Sequence, residues 1–117
     1  MPDVLILDGA RTPFTLWPKA EKPDGTKGGR LAALDPFDLG ASALKGALER
    51  SRLEPGALSR IVFGNCYHVT PHACYGARYV ANRVGAPPSV TGAAVTLACG
   101  SGLQAVATAA QEIALGA

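Results

Sequence analysis

The sequence is poor in charge, in cysteine and in long apolar runs. Charged residues make up 17% of the 117 residues and the formal net charge is +2, and with no block of lysine and arginine this argues against a nucleic-acid partner. No run reaches the ~20 apolar residues of a membrane span, and the start "MPDVLILDGARTPF" lacks the basic region and the length of a secretory signal. Three cysteines, an odd number without a regular spacing, indicate a reducing compartment. We expect a cytoplasmic protein.

Hydrophobic residues, at 48% of the chain, suffice for an ordinary core. The length allows one domain at most. A charge content below the usual quarter predicts that much of the surface faces another segment or another subunit.

Apolar patterning predicts alternating strands and helices. Asp35 is the expected N-cap of the first helix, with Pro36 in its first turn, and Gly85 is the expected end of the second helix. Strands are predicted at "VLILDGA" (4–10), "RIVFGN" (60–65) and "SVTGAAVTLA" (89–98), and helices at 35–51, 72–85 and 100–115. This order is typical of an α/β fold with a parallel sheet covered by helices.

The segment between the first strand and the first helix predicts a loop, because it contains most of the local proline, glycine and charge. Within it, "TLWPKAEKPDGTK" (15–27) is expected to be exposed, with Trp17 covering a small apolar patch at one end.

A single thiol, Cys99, precedes a Gly-Ser-Gly turn between the third predicted strand and the last predicted helix. The positive end of a helix macrodipole favours the thiolate form of a cysteine, which makes Cys99 a candidate nucleophile. Gly100 and Gly102 permit a tight turn and close approach of a substrate carbonyl, and the Cys99 N–H could hold an oxyanion. The alternative at this point is an inert buried thiol.

The segment "ACGSGLQAVATAAQEIALG" resembles the active-site segment of the thiolases, the acyl-CoA:acetyl-CoA acyltransferases. Four further motifs agree in order and spacing with that family: "GARTPF", "DPFDLGASALKGALE", "IVFGN" and "YGARYVANRVGAP". The resemblance implies that Cys99 carries the acyl group as a thioester. It also implies a partial thiolase-like layered domain, with residues 1–117 as the first part of a thiolase N-terminal domain and a loop insertion at 15–27.

The chain departs from the family pattern in three places. Thr96 stands where the family usually has asparagine, three residues before the nucleophile, and Cys66, Tyr67 and His68 replace Val-Leu-Gln. The family's catalytic histidine, second cysteine and further oxyanion donors lie in a C-terminal half with no counterpart in these 117 residues. We therefore expect the chain alone to be catalytically incomplete.

The resemblance implies a thiolase-type acyltransferase acting on acyl-CoA or 3-ketoacyl-CoA, with coenzyme A thioesters as substrates and no metal or prosthetic group. The implied partners are a second copy of the chain or the missing C-terminal thiolase half, with no membrane and no nucleic acid. Two alternatives stay open: a non-catalytic fragment or interaction module that keeps the first half of the fold, and a ketosynthase-like condensing enzyme.

Two other sets of side chains are candidates for binding a metal ion or a phosphate. Cys66, His68, His72 and Cys74 are four soft ligands within nine residues, but zinc sites usually draw their second pair from farther along the chain, so we expect a loop without metal. Arg78 and Arg83 are expected to form ion pairs rather than to contact a phosphate.

Overall fold

The computed structural model describes residues 3–15 and 28–116, in which helices and strands alternate. The elements are α1 (Pro36–Ser51), a 3-10 turn (Pro55–Ala57), β1 (Arg60–Gly64), a second 3-10 turn (Ala73–Tyr75), α2 (Gly76–Arg83), β2 (Thr91–Val95) and α3 (Ser101–Ala114). The predicted α/β fold is confirmed, and the later two strands and all three helices fall within the predicted segments.

The strands β1 and β2 pair in parallel, with Arg60 opposite Thr91 and Gly64 opposite Val95. The connection between them contains α2, as the crossover of a parallel pair requires. Both strands therefore end at the same edge of the sheet, and the loops that follow Gly64 and Val95 start side by side.

Helix α1 begins as the sequence predicts. The Asp35 carboxylate accepts a hydrogen bond from the Asp38 N–H at 2.7 Å, and the Asp38 carboxylate accepts one from the Asp35 N–H at 3.2 Å. This reciprocal capping box satisfies two backbone donors at the helix start. Helix α2 ends before Gly85, whose φ of +77° is the left-handed conformation predicted for a helix stop.

The sheet lies between two layers of helix. Ile61 and Phe63 face α1 and α2, where Ile61 is buried in the core and Phe63 packs against it. Gly92 lies on the same face, since a Cβ atom there would come within 2.8 Å of the Ala77 Cβ atom on α2. Gly64 lies on the other face, against the start of α3.

The buried core belongs to the α1/α2 side of the sheet. Phe37 on α1 lies between the other aromatic rings of this side: it is stacked on Tyr79 with ring centroids 5.1 Å apart and also contacts Phe63. The core residues are Phe37, Ala41, Ile61, Ala77, Val80, Ala81, Val84, Ala86 and Val90. None of them comes from α3, whose single buried residue is Ser101.

The predicted first strand is wrong. Residues 4–10 form no strand, and Leu5, Ile6 and Leu7 are 74%, 84% and 67% exposed. An apolar run predicts burial, but a strand also needs a neighbour that supplies backbone hydrogen bonds, and no strand in the described part of the chain pairs with this one. The segment is instead held beside α1 by the Asp8–Arg50 ion pair at 2.9 Å.

Two further predictions concern the insertion at 15–27 and the absence of a membrane span. Trp17 and most of the predicted insertion at 15–27 lie outside the described residues. Among the helices that the structure describes, none is long and apolar enough to cross a lipid bilayer.

Candidate active site

The turn that carries Cys99 is held by its own hydrogen bonds. The Gly100 N–H donates to the Leu97 carbonyl at 2.8 Å, and the Ser101 N–H donates to the Ala98 carbonyl at 3.1 Å. The Ser101 hydroxyl donates to the Ala98 carbonyl at 2.7 Å and accepts from the Leu97 N–H at 2.8 Å. Ser101 is 3% exposed, so this buried serine fixes the passage from β2 to α3.

The backbone of the turn is bent at an unexpected residue. Ala98 has a φ of +42°, whereas Gly100 has an ordinary φ of −85°. Gly100 is needed for space instead, because a Cβ atom there would lie 3.2 Å from the Leu97 carbonyl oxygen. Gly102 has open space where its side chain would be, so the approach to this part of the backbone is unobstructed.

Cys99 lies just before the first turn of α3, and its side chain is exposed. The alternative of a buried thiol is therefore wrong. Within residues 3–15 and 28–116, no backbone or side-chain acceptor takes a hydrogen bond from the Cys99 N–H. An exposed sulfur and an N–H without an acceptor among the described residues, both on Cys99 and next to the positive end of a helix, can receive a polarised carbonyl group.

The start of α3 lies directly on β1. A Cβ atom at Gly64 would overlap the Ser101 carbonyl oxygen and would come within 2.7 Å of the Ser101 carbonyl carbon. Only glycine permits this approach, which fixes the distance between the sheet and the helix that follows Cys99. The sequence showed Gly64 only as the end of a strand, because the contact depends on tertiary packing.

A chain of hydrogen bonds joins the two loops at the carboxyl edge of the sheet. The Asn65 N–H donates to the Val95 carbonyl at 3.0 Å, and the Thr96 hydroxyl donates to the Asn65 carbonyl at 3.0 Å. The Nε2 atom of His68 lies 3.0 Å from the same Thr96 hydroxyl. Sequence reasoning noted Thr96 only as a departure from a family pattern, and His68 as such a departure and as a possible metal ligand. The parallel order of the strands was the signal that could have brought them together.

The four soft ligands do not converge. Cys66 is half-buried and Cys74 is exposed, and the His72 ring stacks on Tyr79 at 5.8 Å while His68 contacts Thr96. Because β1 ends at Gly64, residues 66–68 lie in a loop, as predicted. The described residues contain no group of three or more histidine, cysteine or acidic side chains placed to hold a metal ion.

The two arginines of α2 bind other parts of the same chain. Arg83 forms ion pairs with Asp35 at 2.7 Å and Asp38 at 3.1 Å, as predicted for that residue. Among the described residues, Arg78 forms hydrogen bonds rather than an ion pair: its Nη1 donates to the Val90 carbonyl at 2.8 Å, and its Nε and Nη2 donate to the Asn82 side chain. Both guanidinium groups thus fix α2 in place.

A parallel sheet between helix layers, with a thiol on a constrained strand-to-helix turn at its carboxyl edge, defines an α/β protein with an exposed cysteine at the end of a strand. The family model "Thiolase, N-terminal domain" matches residues 4–117. The chain belongs to the thiolase family.

Individual relatives agree with the family match. The chain is 34% identical over 114 residues to the beta-ketothiolase BktB of Cupriavidus necator. The alignment covers 97% of this chain and 26% of that protein. The crystal structure of human mitochondrial 3-ketoacyl-CoA thiolase matches 93% of the chain with a TM-score of 0.81 and 30% identity. A structure of the same human enzyme in complex with CoA matches with a TM-score of 0.77 and 32% identity, again over 93% of this chain. The chain spans about a quarter of the length of these relatives.

Proposed function

We propose that the protein is a thiolase-type acyltransferase and that Cys99 is its nucleophile. The observation that carries the proposal is the position of Cys99: an exposed thiol one residue before the N-cap of α3, on a turn fixed by the buried Ser101. Membership of the thiolase family supports the reaction class, and the CoA complex of the human relative supports a coenzyme A thioester as substrate.

The proposed step is an acyl transfer to sulfur. The Cys99 thiolate attacks the carbonyl carbon of an acyl-CoA, a bond forms between that carbon and Cys99 Sγ, and the bond to the sulfur of coenzyme A breaks. Coenzyme A leaves as a thiolate and takes up a proton. The acyl group then passes from Cys99 to coenzyme A, or to the carbanion of acetyl-CoA, by the reverse or the condensing step.

Charge that develops on the carbonyl oxygen needs a hydrogen-bond donor. The Cys99 N–H supports this role, because no acceptor within the described residues uses it, and the open space over Gly102 leaves room for an acyl group beside the turn. Loss of one such donor typically lowers a rate by about 10²–10³, so the conformation of the turn matters as much as the thiol.

Acyl-enzyme formation tests the proposal directly. The protein is incubated with an acyl-CoA and the adduct is located by peptide mass spectrometry. We expect the acyl group on Cys99, no adduct in Cys99→Ala, and an unchanged adduct in the matched variant Cys74→Ala. Cys74 is also exposed and also lies one residue before the N-cap of a helix, α2, but it is part of a 3-10 turn and not of the strand-to-helix turn that Ser101 fixes. Absence of any acyl-enzyme, or acylation of Cys74 or Cys66, would favour a non-catalytic interaction module.

Full turnover requires more than acylation. A base must remove a proton from the acyl acceptor, and the histidines of the sequence, His68 and His72, lie in none of the segments that resemble thiolase motifs. We therefore predict that these 117 residues measured alone form the acyl-enzyme but do not turn over a 3-ketoacyl-CoA. We also propose that the reaction uses no metal and no prosthetic group, and that the protein is cytoplasmic.

A further inference from the structure

The hydrogen bonds between the two carboxyl-edge loops determine the protonation pattern of one histidine. The Thr96 hydroxyl lies 3.0 Å from the Asn65 carbonyl oxygen, and a carbonyl can only accept. A hydroxyl has a single proton, which Thr96 thus donates to Asn65. The hydroxyl oxygen can then only accept from the His68 ring, 3.0 Å away.

His68 must therefore donate from Nε2. The neutral ring that satisfies this geometry has its proton on Nε2 and a bare Nδ1, and the charged ring also has a proton on Nε2. The hydrogen bond is thus compatible with both states of the ring. It is a defined interaction between a residue after β1 and a residue after β2, and it joins segments 28 positions apart.

Thr96 is the residue that leads into the Cys99 turn. It follows the last residue of β2, and the next residue, Leu97, donates its N–H to the buried Ser101 hydroxyl. A rotation of Thr96 would displace Leu97 and, with it, the turn that Ser101 holds. The two hydrogen bonds on the Thr96 hydroxyl oppose such a rotation.

The geometry points to His68 as a positioning residue for Cys99, acting through the Thr96 hydroxyl to hold the turn in the conformation that presents the thiol. The inference rests on the proposed nucleophile role of Cys99 and deepens it. It also gives the two departures from the family pattern, at positions 68 and 96, one joint explanation: the histidine and the threonine form a matched donor and acceptor.

The variants for the test separate the donor from the rest of the ring. His68→Ala removes the donor, whereas His68→Gln retains an N–H donor on a side chain of similar reach. Thr96→Val removes the acceptor at nearly constant shape, and the double variant His68→Ala/Thr96→Val completes a cycle. His72→Ala is the matched control, because His72 is also exposed but stacks on Tyr79 and takes no part in this network.

The first measurement is the ¹⁵N NMR spectrum of the imidazole rings at about pH 8, where an ordinary histidine is neutral. We expect the His68 ring to be protonated at Nε2 and to become a mixture of tautomers in Thr96→Val, with the His72 signals unchanged. A His68 ring protonated at Nδ1, or one that Thr96→Val leaves unchanged, would overturn the proposal.

The second measurement is the rate at which iodoacetamide alkylates Cys99, with Cys74 as the internal reference. We expect His68→Ala and Thr96→Val each to slow Cys99 by roughly three- to tenfold, the range of one modest hydrogen bond, with no further loss in the double variant. His68→Gln should restore most of the rate. Equal rates in all variants, additive losses, or no recovery in His68→Gln would each contradict a role through the Thr96 hydroxyl.

The same variants are then compared for acylation by an acyl-CoA. If the unaltered protein forms no acyl-enzyme, the proposed function fails, but the tautomer and the alkylation rates still decide the role of His68. If the unaltered protein is acylated at Cys99 and His68→Ala is acylated equally fast, the proposed function stands and the positioning role is wrong.

Discussion

The two faces of the sheet are built differently. On one face, α1 and α2 bury the apolar core, from Phe37 to Val90. On the other face, α3 buries a single residue, the polar Ser101, and leaves Leu103 and Val106 exposed at 77% and 53%. The stability of the described fold therefore lies on the first face, whereas the second face places the candidate nucleophile.

The contrast shows that the contacts that place Cys99 are different from the contacts that bury the apolar core. The start of α3 is placed by the close approach of Gly64 to Ser101 and by the hydrogen bonds of the turn. Such contacts fix the geometry over a few residues without requiring a large buried surface. The large apolar residues of α3 contribute little to that placement, because Leu103, Val106 and Ile113 are all exposed.

The largest expected effect comes from the core. Phe37→Ala removes a ring that is 4% exposed and that packs against Tyr79 and Phe63, so we expect it to lower the free energy of unfolding by about 3–5 kcal/mol. Leu103→Ala on α3 should change it by less than about 0.5 kcal/mol. Urea denaturation followed by circular dichroism measures both. A loss from Leu103→Ala as large as that from Phe37→Ala would mean that the outer face of α3 is covered in solution.

The next effect tests how the site face is held. Gly64→Ala places a methyl group against the backbone of Ser101, and we expect a loss of about 1–3 kcal/mol together with slower alkylation of Cys99, because α3 must shift away from β1. Gly56→Ala is the control, since a Cβ atom at Gly56 has no neighbour within 4 Å. Normal labelling of Cys99 in a folded Gly64→Ala protein would show that the close approach does not determine the turn.

Local chemistry made part of this structure predictable. The Asp35 cap and the Gly85 stop were identified correctly because each depends on a few neighbouring residues. The segment 4–10 was misassigned because an apolar run shows a tendency to be buried but does not specify the strand that would pair with it. The strand-to-helix position of Cys99 followed from the order of the elements, in agreement with the family match.

The detailed geometry of the site was not predictable in the same way. The positive φ of Ala98 has no sequence signal, because alanine is not a residue that favours this conformation. The contact between His68 and Thr96 depends on the register of two strands. The predicted parallel order places the two loops at one edge of the sheet, but the contact itself and the bend at Ala98 require the tertiary structure.

A smaller effect concerns the Asp35 carboxylate at the start of α1 and the dependence of stability on pH. Burial acts to raise the pKa of Asp35, but the hydrogen bond from the Asp38 N–H and the Arg83 guanidinium outweigh it and hold the pKa below its usual value. A lowered carboxyl pKa stabilises the folded protein above the pKa of the unfolded chain, and this contribution is lost as the pH falls through the folded-state pKa. Stability should therefore decline below about pH 4.

Two variants at this position separate the cap from the charge. Asp35→Ala loses both and should cost about 0.5–2 kcal/mol at pH 7. Asp35→Asn keeps an N-cap acceptor and loses the ion pair with Arg83, so we expect a cost of about 0–1 kcal/mol and a flatter loss of stability on acidification. Urea denaturation between about pH 3 and pH 7 measures both. An unchanged acid slope in Asp35→Asn would assign that slope to other carboxylates, such as Asp8.

The smallest effect probes the bend beside Cys99. A non-glycine residue in the left-handed region costs about 1–2 kcal/mol, so Ala98→Gly relieves strain at the φ of +42°, while the added freedom of the unfolded chain offsets about 0.5–1 kcal/mol of the gain. We expect a change between zero and about 1.5 kcal/mol in favour of the folded protein. The same substitution at Ala107, which is exposed within α3, relieves nothing and should cost about 1 kcal/mol. Comparing the two by urea denaturation isolates the backbone contribution, because each variant removes one methyl group. If Ala98→Gly destabilises the protein as much as Ala107→Gly does, the left-handed bend is absent in solution, and the conformation assigned to the Cys99 turn is wrong.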